Sequence, residues 1–169
     1  MKPSICLIAL FFAACGHPSD EQMSRMLRER QPDFDRLLKM FEDDPQEMFI
    51  RPYVILGNNH LCDIPRTGPS EAMLQQVGLS RARWNEYSRL FDILGLEGGV
   101  VRNGDRIFFA VEDAGWFNKF TVKGVVYSSL PIEPVVPDLT AQYARNERPR
   151  GGGTFYKRVA RNWYLFLDY

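Results

Sequence analysis

Cysteine is scarce in this chain. There are three in 169 residues, Cys6, Cys15 and Cys62, and two of them fall within the first fifteen positions. The body of the chain carries a single cysteine, Cys62, and one thiol cannot build a disulfide framework within it. A lone thiol of this kind is expected in the interior. Long apolar runs are scarce as well. Only residues 5–14 are almost wholly apolar, far short of the about 20 apolar residues that span a bilayer. Net charge is missing, because 21 Lys and Arg face 21 Asp and Glu. That balance argues against bulk nucleic-acid binding. CxxC, HExxH and a glycine-rich loop ending in Lys-Ser/Thr are all absent from the sequence, so the strong signals for zinc and nucleotide chemistry are absent too. No internal repeat is visible.

What is present begins at the first residue. Lys2 precedes the apolar run of residues 5–14, the pattern of a charged n-region and a signal-peptide h-region. Ala13-Ala14-Cys15-Gly16 resembles a bacterial lipobox, with Phe12 standing where such motifs prefer Leu. The resemblance implies that residues 1–14 are removed, that the Cys15 thiol is acylated, and that the mature protein is lipid-anchored. With Gly16 rather than Asp after the cysteine, it further implies the outer membrane, facing the periplasm. An ordinary cleaved signal peptide and an uncleaved anchor are the other readings, and bulky Phe12 disfavours a plain cut after Ala14. Each buried CH₂ of an acyl chain contributes about 0.8 kcal/mol, so two or three chains anchor stably where one does not.

Residues 16–18 form a short tether, reaching only about 10 Å when extended, and 19–169 read as one α+β domain. Ser19 with Gln22 is a capping-box pattern at a helix start. Met23, Met26, Leu27, Phe34, Leu37, Leu38 and Phe41 keep helical spacing, interrupted at Pro32, which predicts two helices or one kinked helix. Residues 49–56 read as a strand that Pro52 pushes to an edge or bulge. Residues 57–70 are rich in turn formers and predict a long loop, a feature that is often functional. Residues 71–77 suggest one or two helical turns. Ser80 caps a clearer helix with Trp84, Tyr87, Phe91 and Leu94 on one face and Gly95 as its stop. From residue 99 the pattern turns to strands. Asn103-Gly104 marks a hairpin, residues 120–128 a third strand with Gly124 at a bulge, and 154–160 with 163–169 a final hairpin. Pro131, Pro134 and Pro137 stiffen the connection before a short helical piece at 138–144. The expected architecture is N-terminal helices packed on an antiparallel sheet of about five strands. The stretches GWFNKFTVKGVVYSSLPIEP (115–134) and RNWYLFL (161–167) resemble small uncharacterised bacterial envelope proteins, a likeness that implies no activity and transfers no site.

Candidate chemistry is thin. His60, Cys62 and Asp63 sit close in sequence, and in an extended segment residues i and i+2 share a face. An imidazole beside Cys62 would lower its thiol pKa. Yet the other histidine, His17, lies in the tether, and a metal would need a fourth ligand from elsewhere. An inward-facing Cys62 accounts for the cluster without chemistry, so no catalytic, metal or cofactor site is assigned. The carboxylate pairs Asp43-Asp44 and Glu112-Asp113 offer acid–base groups of the kind that cleave glycans.

Charge is unevenly spread. Residues 19–48 hold nine acids and five bases, whereas 139–169 hold six bases and two acids. One explanation is pairing between the two segments or solvation of both. The other is a basic surface with interleaved aromatics that meets an acidic partner, anionic lipid or lipopolysaccharide: Arg148, Tyr156, Arg158, Arg161 and Trp163, of the residue types enriched at binding hot spots. Two functional classes follow. The first is a non-catalytic, protein-binding lipoprotein, an assembly accessory or an immunity protein against a secreted toxin. The second is a cell-wall-directed hydrolase, which needs carboxylates, or His60 and Cys62, gathered around one point.

Overall fold

The computed structural model describes residues 18–44, 48–50, 53–56, 59–61, 68–96, 99–115, 120–145 and 153–168. Helix α1 spans Asp20–Glu29. Its capping box forms as the sequence predicts. The Ser19 hydroxyl accepts from the Gln22 amide, and the Gln22 side chain accepts from the Ser19 amide at 2.7 Å. A break at Arg30 separates it from α2, Gln31–Asp43. Pro32 lies in the first turn of α2, where its missing N–H leaves no hydrogen bond unmade. After a short α3, Glu71–Gln76, helix α4 runs Arg81–Leu94. Ser80 caps it, and Gly95 ends it in the left-handed conformation at φ 63°, with its amide donating to Phe91 O. A short α5 spans Leu139–Ala144.

The fold is α+β, with the helices packed on one face of an antiparallel sheet. Five of its strands are those the sequence predicts from residue 99 onward: β4 (Gly99–Asn103), β5 (Arg106–Gly115), β6 (Phe120–Ser128), β7 (Thr154–Arg158) and β8 (Trp163–Asp168). They lie side by side in the order β4-β5-β6-β8-β7. A meander of three short strands, β1 (Met48–Ile50), β2 (Tyr53–Leu56) and β3 (Asn59–Leu61), extends the β4 edge to eight strands. The single strand expected over 49–56 is thus a hairpin, with Ile50 opposite Tyr53. Pro52, which cannot donate to a ladder, lies outside the described residues. The long loop expected at 57–70 likewise contains β3, which places His60 opposite Ile55.

Alternation divides the sheet residues between two cores. On the helix face, Val100, Ile107, Phe109, Val125, Trp163, Leu165 and Leu167 meet Met23, Phe34, Leu37, Phe41, Tyr87 and Phe91. Phe34 packs edge-on against Phe109 and Trp163 at 5.6 and 5.8 Å. On the opposite face, Val126, Tyr156, Tyr164 and Phe166 close around Ile132. Ile132 belongs to the proline-rich segment 129–138. That segment then hydrogen-bonds to β7, with Val136 N donating to Tyr156 O at 2.7 Å and Tyr156 N donating to Pro134 O at 3.3 Å. It continues to Leu139 in the helix-side core. The connection is therefore a strap around the β7 edge, and it covers unpaired backbone groups that an edge strand otherwise presents. The expected bulge lies one strand over from Gly124. Ala110 pairs with Gly124 and Glu112 with Lys123, which leaves Val111 of β5 as the extra residue.

Candidate functional site

Lys123 is the anomaly of strand β6. Thr121, Lys123, Val125 and Tyr127 alternate onto the helix face, so a lysine occupies an inward position between buried Thr121 and Val125. Isolated charges are costly to bury, and Lys123 is only 2% exposed in its side chain. Its three ammonium protons are all engaged. Nζ donates to Pro18 O at 2.8 Å, to Asp20 Oδ1 at 2.9 Å and to Thr140 Oγ1 at 3.3 Å. The Asp20 carboxylate is equally saturated. Besides Lys123, it accepts from the Leu139 amide at 2.8 Å, the Thr140 hydroxyl at 3.0 Å and Lys157 Nζ at 3.1 Å. Burial alone would raise the Asp20 pKa. The hydrogen bond and charge of Lys123, the Leu139 amide and Lys157 outweigh burial and hold it below the ordinary carboxylate value. The cluster ties the start of α1, the start of α5, β6 and β7 to one point. It also realises, through Asp20–Lys157, the pairing of the acidic N-terminal segment with the basic C-terminal one.

A second cluster joins the helices. Asp44, just past α2, accepts from Arg83 Nε at 2.6 Å and from the Tyr87 hydroxyl at 2.8 Å. Arg83 also donates to Met40 O at 3.1 Å. Burial, then Asp44 as hydrogen-bond partner and charge, drives the Tyr87 pKa far above that of a free phenol. The neighbouring Asp43 pairs instead with Lys39 on its own helix. The two carboxylates of the Asp43-Asp44 pair are thus engaged by different elements. Among the described residues, no group of three or more His, Cys, Asp and Glu is arranged to hold a metal ion, and no helix is long and apolar enough to cross a membrane.

The predicted partner-binding residues fall into three environments. Trp163 is core, 6% exposed, enclosed by Phe34, Phe109 and Tyr127 on the helix side. Tyr156 is also buried, at 4%, but on the opposite face. There the Arg106 guanidinium lies 5.4 Å from its ring centroid and donates to its hydroxyl at 3.0 Å. Arg158 and Arg161 are exposed at the β7–β8 connection. Arg158 folds back onto it, donating to Ala160 O at 3.4 Å and Arg161 O at 3.2 Å. Arg148, Cys15, Cys62 and Asp63 lie outside the described residues, and of Glu112 and Asp113 the strand register is known: opposite Lys123 and Val122. Tyr156 and Trp163 therefore do not join Arg158 and Arg161 in one surface.

The exposed apolar residues come from elsewhere. Leu130 and Val135 on the strap are 59% and 48% exposed. Leu130 adjoins the arginine turn, because Ser128 N donates to Asn162 O at 2.9 Å while Ser128 Oγ donates to Leu130 O at 2.8 Å. The sequence held a signal for Lys123, a charged residue in the inward set of an apolar strand. It held none for Leu130, which looks like any residue of a proline-rich connection. The chain matches no protein-family model, no curated protein and no solved structure.

Proposed function

We propose that this chain is a lipid-anchored protein of the cell envelope, attached through Cys15 and acting as a non-catalytic protein-binding module of the accessory or immunity type. The anchor reading rests on the charged start, the apolar run and Ala13-Ala14-Cys15-Gly16. The Gly16 position favours the outer membrane, with the domain facing the periplasm. Binding rather than catalysis is favoured by how the buried and partly buried ionisable groups are used. Asp20 with Lys123, and Asp44 with Arg83 and Tyr87, each bridge separate elements of the fold. A cell-wall hydrolase would want such carboxylates directed at a common point.

The observation that carries the binding reading is the exposed side chain of Leu130 beside the Arg158–Arg161 turn. An exposed apolar side chain near a turn that carries two arginines suits an acidic protein surface with an apolar socket. The test is affinity capture of the lipidated protein from gently solubilised native membranes, read by mass spectrometry, alongside a Leu130→Ser/Arg161→Glu variant. One near-stoichiometric partner that the variant loses while keeping its fold is the expected result. A blank from both proteins, or a partner held equally by the variant, overturns the reading. The anchor is checked separately by Cys15→Ala, which is expected to abolish acylation.

A further inference from the structure

The first described residue, Pro18, is held by a buried lysine. Lys123 Nζ holds Pro18 O at 2.8 Å and Thr140 Oγ1 at 3.3 Å, and Thr140 Oγ1 accepts from Asp20 N at 3.2 Å. Thr140 lies in α5, and Tyr143 follows it by three residues, on the same side of that helix and one turn on. Tyr143 is 43% exposed, and Arg145, the α5 C-cap, is exposed beside it. The sequence distance from Cys15 to Pro18 is three residues, which span at most about 10 Å.

We infer that this end of the domain, formed by the start of α1 and by α5, rests on the membrane surface, with Tyr143 at the lipid headgroup level and Arg145 against lipid phosphate. The inference rests on the lipid anchor at Cys15. A tether of that length gives the domain almost no clearance, and the clamp on Pro18 denies it further slack. Whatever surrounds Pro18 must then face the bilayer. The residues found there suit that place. Tyrosine is enriched at membrane interfaces because it presents an apolar ring with a polar tip, and arginine reaches phosphate while its stem covers apolar surface. Each carboxylate named at this end has a partner within the protein, with Asp20 buried and Glu21 exposed. Glu21 pairs with Arg25 at 3.2 Å, Asp138 accepts from Ala141 N at 2.7 Å, and Asp20 is enclosed between Lys123 and Lys157. The partner surface at Leu130 is displaced from the membrane end. Ser128, which adjoins it, lies five residues beyond Lys123 on β6, about 16 Å along the strand.

The test places the lipidated protein on vesicles of phosphatidylethanolamine and phosphatidylglycerol. Its comparison is a variant, also lipidated, with a long Gly-Ser insertion between His17 and Pro18. Hydroxyl-radical footprinting reads the oxidation of Tyr143, with Leu130 as the reference in the same molecule. Tyr143 is expected to oxidise several-fold more slowly in the native-length protein than in the insertion variant, with Leu130 equal in both. Equal Tyr143 rates in two proteins that both float with the vesicles overturn the docking and leave the anchor intact. If neither floats, the anchor reading fails and the docking falls with it.

Discussion

Phe166 of β8 lies directly over Gly124 of β6, its register partner. A β-carbon built on Gly124 would sit 2.6 Å from Phe166 Cε1 and would overlap the carbonyl oxygen of Phe109. The ring fills the space a side chain would take, and it is held there edge-on by Phe108, with centroids 5.0 Å apart. Gly124→Ala forces backbone as well as side chain to shift, so it is expected to destabilise by about 1–3 kcal/mol, the cost of overpacking a core. Urea unfolding of the two proteins measures this directly. A midpoint unchanged from wild type would show that the strand relaxes freely at the bulge.

The Asp20 cluster predicts an unequal pair of mutants. Asp20→Ala leaves Lys123 buried without its counter-charge and is expected to cost about 3–5 kcal/mol. Lys157→Ala removes a partner that is 28% exposed and leaves Lys123 in place, and is expected to cost about 1 kcal/mol. Asp20 also sets an acid limit. Its folded pKa is depressed, so its contribution is fully present above the unfolded value of about 4 and is lost as pH falls through the folded value. Stability followed by thermal unfolding should decline below about pH 4, and Asp20→Asn should flatten that decline. Parallel acid limbs in the two proteins would assign the decline to other carboxylates.

Tyr87 works in the opposite direction on the pH scale. Its folded pKa is raised, so it stabilises fully below the unfolded value of about 10 and that stability is lost as pH rises beyond it. Tyr87→Phe is expected to cost about 1–2 kcal/mol at neutral pH, the loss of a hydrogen bond to a charged acceptor that Arg83 still partners. In alkaline titration followed at the phenolate absorbance, one tyrosine fewer should ionise in a separate late step coincident with unfolding. An unchanged late step in the variant would remove Tyr87 from it.

Trp163→Ala is expected to destabilise by about 3–5 kcal/mol through the cavity left among Phe34, Phe109 and Tyr127. Arg161→Glu is expected to leave the unfolding midpoint almost unchanged, since exposed side chains free of such features shift stability little. Denaturation curves for the two variants separate a core residue from a surface one. Equal, small effects would return Trp163 to the list of contact residues.

Much of the fold is legible in the chain itself. Ser19 with Gln22, Ser80 and Gly95 marked helix ends because capping depends on neighbours in sequence. Asn103-Gly104 marked a hairpin for the same reason, and periodicity separated the helical half from the strand half. The segment 48–61 was harder, since three- and four-residue strands carry too few positions for a period to show. The residues around Cys15 also speak through local sequence, and the proposed lipid anchor rests on them alone. Tertiary structure decided everything that depends on which residues meet across the sheet. A Trp and a Tyr beside arginines look the same in sequence whether they face solvent or core, and only the pairing of β8 with β6 and β7 put Trp163 and Tyr156 inside, on opposite faces. Asp20 and Lys123 stand 103 positions apart. Their meeting fixes Pro18 and the start of α1, and it exists only because burying the lysine demanded a carboxylate and the packing of α1 against β6 brought one within reach.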